Sequence, residues 1–136
     1  MITSERQLAV TSQKIGDLKD ALKKIKAGND PFAKASIIET KGLIEDLEQE
    51  VKEYETLRDK GIEAIEINDL AELMLLPIKY RIAKKMTQDT FAREVEVPVR
   101  MIARYESEGY KNITGENLHK ILSKLHLKSP GKLKEA

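Results

Sequence analysis

The stretch MTQDTFAREVEVPVRMIARYE, from Met86 to Glu106, holds the side chains of this chain best equipped for recognition chemistry. Thr87 is placed to cap a helix whose first residue is Gln88, so an amide side chain and unpaired backbone N–H groups stand together at a helix amino terminus, a ready phosphate contact. Pro98 fits the first turn of a second helix whose outer surface carries Val99, Arg100, Met101 and Arg104. Arg100 and Arg104 are four apart and share one helical face. In a DNA major groove an arginine can grip a guanine O6/N7 edge through two hydrogen bonds, worth about 1–3 kcal/mol of base discrimination, and a valine can touch a thymine methyl. The competing reading makes both arginines ordinary surface charges or ion-pair partners of Glu106 and Glu108. Lys111, interleaved with Tyr105 and Tyr110, is a further candidate nucleic-acid contact, although core packing accounts for the tyrosines equally well.

Bond-making chemistry has little to work with. The chain has no cysteine, which excludes a disulfide framework, a thiolate zinc site and a thiol nucleophile. His119 and His126 are seven residues apart, roughly 10 Å along a helix axis, too far to share a metal as neighbours. No glycine-rich phosphate loop occurs. We expect a protein that is not an enzyme and needs no cofactor or metal. Net charge is +1 with 35% charged residues, yet residues 1–68 carry 11 basic against 14 acidic side chains and residues 69–136 carry 13 against 9. The front is mildly acidic and the back mildly basic, while the whole-chain balance neither demands nor excludes a polyanionic partner. No run approaches the roughly 18 apolar residues of a membrane span, and MITSERQLAVTSQK lacks the apolar core of a signal peptide, so a soluble cytoplasmic protein is expected.

The elements that must position these residues follow from caps and periodicity. Ser4 with Gln7 forms a candidate capping box, and helical spacing runs from Leu8 to Ile25, ahead of a break at Gly28-Asn29-Asp30-Pro31. A second helix starts at Pro31 with Asp30 as its cap and stops at Gly61. Its stripe, Ile37, Ile44, Leu47, Val51 and Tyr54, repeats the steps of Leu8, Ile15, Leu18, Leu22 and Ile25. Folded back about Pro31, Ile25 faces Ile37, Leu18 faces Ile44, Ile15 faces Leu47 and Leu8 faces Tyr54, as an antiparallel helical hairpin requires. Phe32, Ile38, Leu43 and Leu57 lie off that seam and would invite a twin hairpin or another protein, although a merely packed arm is a competing account. The acidic run Glu45 to Glu55 reads best as a solvated face.

From Lys60 to Asp69 the pattern weakens into a linker, with a short strand expected at Ala64 to Ile67. A basic helix follows over Ile78 to Lys85, with Lys79, Arg81, Lys84 and Lys85. Phe91, Ala92 and Val95 face inward against Val97, Ile102 and Tyr105, with Ala92 small enough for close helix crossing. Thr114 caps a last helix, Glu116 to Leu125.

The string TQ-x-x-FA at Thr87 to Ala92, followed by V-P-x-x-x-I-x-x-YE at Val97 to Glu106, resembles the Xre/Cro family of helix-turn-helix regulators. With the amino-terminal hairpin, the approach ELMLLPIKYRIAKKMTQ and the run RYESEGYKNITGENLHKIL, the chain is similar to antitoxins of the HigA type. The resemblance implies a five-helix, lambda-repressor-like DNA-binding domain, a homodimer on an inverted-repeat operator of double-stranded DNA, repression of its own operon, and neutralisation of a RelE/HigB-like ribonuclease toxin. It also implies that Gln88 clamps phosphate, that Val99 and Arg100 contact bases, that Arg104 contacts base or backbone, and that Tyr105 and Glu106 are structural. The family usually places glycine where this chain has Lys85 and Glu96. If those backbones stay left-handed, each costs about 1 kcal/mol.

The chain is therefore expected to be all-α, with a protein-binding or dimerising hairpin at 1–60, a linker at 61–69, a helix-turn-helix domain at 70–128 and a flexible tail at 129–136. A sequence-specific repressor that is the antitoxin of a toxin–antitoxin pair is the leading expectation, with a phage-type repressor without a toxin partner as one alternative. A protein-binding adaptor with a helix-turn-helix scaffold and little DNA binding is the other alternative.

Overall fold

A computed structural model describes every residue except 26, 27 and 29, so Asn29 of the expected break lies outside the described residues. The chain divides into two compact units, Met1–Ala64 and Ile65–Ala136. All regular structure among the described residues is helical: α1 (Glu5–Lys24), α2 (Pro31–Lys60), a 3-10 turn (Gly61–Ala64), α3 (Leu70–Met74), α4 (Leu76–Ala83), α5 (Gln88–Val95), α6 (Val99–Ser107) and α7 (Gly115–Leu125).

The first unit is a hairpin. Ser4 caps α1 by accepting from the Gln7 N–H, and the Gln7 side chain accepts from the Thr3 N–H at 2.8 Å, one residue before the site a capping box uses. Asp30 caps α2 by accepting from the Phe32 N–H, and Gly61 ends it at φ 76°. The helices run antiparallel: Glu5 accepts from the Tyr54 hydroxyl and from Arg58 at 3.2 Å each, and Lys19 pairs with Glu48 at 3.0 Å. The seam is thin. No residue of α1 is fully buried, and Leu8, Ile15, Leu18, Leu22 and Ile25 are all half-buried. Ile2, Ile44, Tyr54 and Leu57 are the buried apolar residues here. Leu57 was expected off the seam, but it is buried where the 3-10 turn follows the end of α2.

The expected strand at Ala64–Ile67 does not form. The left-handed Gly61 leads into a 3-10 turn that includes Ala64, and residues 65–67 have no regular structure. A strand needs a ladder partner for its N–H and C=O groups, and the described residues hold no other strand.

In the second unit five short helices enclose one core. Phe91, Val95, Ile102, Tyr110 and Ile121 are at 0% exposure, with Ile78 and Tyr105 at 2%. Asp69 caps α3, Thr87 caps α5 and Thr114 caps α7, each accepting from the N–H three residues on. The helix expected over Ile78–Lys85 instead starts at Leu76, carries Pro77 in its first turn and ends at Ala83. Lys85 lies beyond it at φ 56°, where the chain reverses into α5. Pro98 precedes α6 as its cap residue rather than joining its first turn.

Candidate nucleic-acid interface

The α5–α6 pair is built by inward packing on both sides of a tight turn. Phe91, Ala92 and Val95 of α5 are buried, as are Val97, Ile102 and Tyr105. Glu96 makes the turn in the left-handed region at φ 59° and ψ 42°, and the Val97 N–H returns to the Ala92 carbonyl at 3.0 Å. A residue with a Cβ is strained there, and α7 helps to hold it. Lys120 Nζ donates to the Glu96 carbonyl at 2.9 Å and Lys124 Nζ pairs with its carboxylate at 3.1 Å. That hydrogen-bonded lysine holds the Glu96 carboxyl below its ordinary pKa.

Inward packing of Ile102 and Tyr105 turns the opposite face of α6 outward. Val99 is 41% exposed, Arg100 and Arg104 are exposed, and Met101 is half-buried. Among the described residues neither arginine makes an ion pair, and the nearby acids have other partners. Arg81 takes Glu106 through Nε and Nη2 at 2.7 Å each, and Glu108 accepts from the Asn112 amide at 3.1 Å. Arg104 lies with its guanidinium carbon 5.6 Å from the Tyr105 ring centroid, a placement that steadies it without neutralising it. Pro98 supplies no side-chain cap, so the first N–H groups of α6 remain available at the same end as Val99 and Arg100.

Thr87 is exposed and its Oγ1 accepts from the Thr90 N–H at 3.2 Å, with Thr90 Oγ1 also 3.1 Å away. Gln88 is half-buried, and its Nε2 donates to Glu106 Oε1 at 3.1 Å. Its amide nitrogen thus points into the protein. Lys111 is exposed after α6, whereas Tyr105 and Tyr110 are core residues with ring centroids 5.6 Å apart. The tyrosines therefore pack rather than interleave with lysines.

The sequence shows Arg81 only as one of four bases on a helix; the structure buries it at 5% exposure. Its Nη1 donates to the Met86 carbonyl at 3.0 Å, so one guanidinium joins α4, the α4–α5 turn and α6. No spacing rule links residues 81 and 106. The Tyr105 hydroxyl, accepting from Asn117 Nδ2 at 2.8 Å, was equally invisible in the sequence. Among the described residues no group of three or more His, Cys, Asp or Glu side chains could hold a metal ion, and no helix is long and apolar enough to cross a membrane.

No curated protein and no solved structure matches the chain. A family model described as Helix-turn-helix matches residues 78–133, less than half of the chain, and spans α4 through α7. The rear unit therefore contains an Xre/Cro-like helix-turn-helix domain at residues 78–133.

Proposed function

We propose that this protein is a sequence-specific DNA-binding transcriptional repressor whose α6 enters the major groove. The observation that carries this reading is the pair Arg100 and Arg104, exposed and, among the described residues, without ion-pair partners on one face of a helix whose other face is locked into the core. Arg100 and Val99 read base edges. Arg104 contacts base or backbone one turn on, and Met101 lies beside them. Thr87, Gln88 and Lys111 meet phosphates, Gln88 through its backbone N–H and the one amide N–H that Glu106 does not hold. A homodimer would set two such helices on an inverted repeat, about 34 Å or one helical turn apart. The finer reading, an antitoxin that represses its own operon and neutralises a RelE/HigB-like toxin, rests on the order of motifs along the chain. Under it the hairpin at 1–60 handles protein contacts.

Fluorescence anisotropy with a duplex from upstream of the gene, against a scrambled duplex at several salt concentrations, tests the DNA reading. Tight, steeply salt-dependent binding to the native duplex alone is expected. Weak and equal binding to both would contradict it and favour the adaptor reading. One observation supports that alternative: the Gln88 amide donates to Glu106. Co-purification with the product of a neighbouring toxin gene would test the antitoxin assignment separately.

A further inference from the structure

Two exposed lysines on a DNA-binding unit would ordinarily be taken for phosphate contacts. We infer a different part for Lys120 and Lys124 of α7: they are positioning residues that set the start of the reading helix by gripping Glu96, and DNA is held without them. The inference rests on the DNA reading above and adds residues to it that touch no nucleotide.

Lys120 and Lys124 stand one helical turn apart. Their neighbours Ile121 and Leu125 are buried, so the helix beneath them is fixed to the core. Lys120 Nζ donates to the Glu96 carbonyl at 2.9 Å, and Lys124 Nζ pairs with the Glu96 carboxylate at 3.1 Å. One residue is thus held twice, by its backbone and by its side chain. It is the cap residue at the end of α5, where unpaired carbonyls and the negative end of the helix dipole favour cations.

The turn needs such a grip. Glu96 stands at φ 59° and ψ 42°, a conformation that strains any residue with a Cβ. α6 begins only three residues on, at Val99, and Pro98 gives it no side-chain cap. A change in the peptide after Glu96 therefore swings Val99 and Arg100 together. Released from Lys124, the Glu96 carboxylate, on a side chain 65% exposed, would also be free to turn toward a phosphate backbone. Either change spoils the placement of Arg100 on a base edge, which tolerates little displacement. Glycine is at ease in the left-handed region and brings no carboxylate, so a glycine here would need neither lysine.

Fluorescence anisotropy of the full chain, on the native upstream duplex and on a scrambled one at several salt concentrations, tests this with Lys120→Met/Lys124→Met, with Glu96→Gly and with all three changes combined. On the native duplex the paired lysine change should raise Kd about fivefold, the strain of one left-handed residue converted to a binding ratio, with the salt slope nearly unchanged. The loss should be smaller on the scrambled duplex, where no base edge is read. Beside Glu96→Gly the same lysine change should alter Kd by less than about twofold. Thermal melting checks that each variant is folded at the assay temperature. A loss equal on both duplexes, persisting beside Glu96→Gly and lowering the salt slope by about two, would make the lysines phosphate contacts and overturn the inference. A paired lysine change that leaves Kd untouched would overturn it as well. A wild type that binds both duplexes weakly and equally rejects the DNA reading and this inference with it, whereas a wild type that prefers its own duplex while the lysines behave as phosphate contacts rejects this inference alone.

Discussion

Arg81 and Glu106, 25 positions apart, meet in the core of the helix-turn-helix unit through two parallel hydrogen bonds of 2.7 Å, with side chains only 7% and 4% exposed. The fork is bidentate; Arg81 also donates to the Met86 carbonyl and Glu106 also accepts from the Gln88 amide. Such a pair holds α4, α5 and α6 in one geometry, which is what an α6 reading surface needs.

Breaking this pair from one side leaves an uncompensated buried charge. Glu106→Leu is expected to lower unfolding free energy by about 3–5 kcal/mol, whereas Arg81→Met/Glu106→Leu should cost clearly less than the two single changes added together. Urea denaturation of the three variants checks this. Strict additivity would show that the two side chains do not act as a pair.

Glu96 sits left-handed at φ 59°. Glu96→Gly removes the strain of its Cβ and loses only an exposed ion pair with Lys124, so a gain approaching 1 kcal/mol in stability is expected. The substitution also removes a carboxylate from the turn before α6, and tighter DNA binding should accompany the higher melting temperature. Lys85→Gly, at φ 56°, should stabilise in the same way but weaken DNA binding if anything. Thermal melts and anisotropy titrations separate the two effects.

The Tyr110 hydroxyl is fully buried with no hydrogen-bond partner among the described residues. Burial, and then the Glu106 carboxylate, push its pKa up. A raised folded-state pKa contributes stability that is complete below the unfolded value of about 10 and is lost as pH rises above it, by about 1.4 kcal/mol per pH unit. Tyr110→Phe should therefore be neutral or slightly stabilising at pH 7 and should flatten the alkaline loss. Tyr105→Phe, which removes a hydroxyl that accepts from Asn117, should cost about 1 kcal/mol at pH 7. Denaturation from pH 7 to pH 11 distinguishes them.

On DNA, Arg100→Ala should cost about 1–3 kcal/mol on the native duplex and relax base preference, with little change on a scrambled duplex. Gln88→Ala should weaken binding to all sequences alike, and it should also lower stability modestly because Glu106 loses a donor. Equal losses on both duplexes for Arg100→Ala would contradict its reading role.

The sequence by itself determined where most of the helices lie and which residues cap them, though not the bounds of α4. Ser4, Asp30, Thr87 and Thr114 accept from N–H groups two or three residues away, and Gly61 terminates α2 by its own backbone freedom. These are local interactions, written in adjacent residues. Inward positions at Phe91, Val95, Ile102 and Tyr105 were legible for the same reason, since a helical period of 3.6 fixes which side chains share a face. Only the tertiary structure decided that Arg81 leaves the surface for Glu106, that Gln88 turns inward, and that Lys120 and Lys124 reach Glu96 from α7. Those partners lie 18 to 28 residues apart. A charge spacing on one helix carries no information about which distant helix will approach it, because that depends on how the whole core closes.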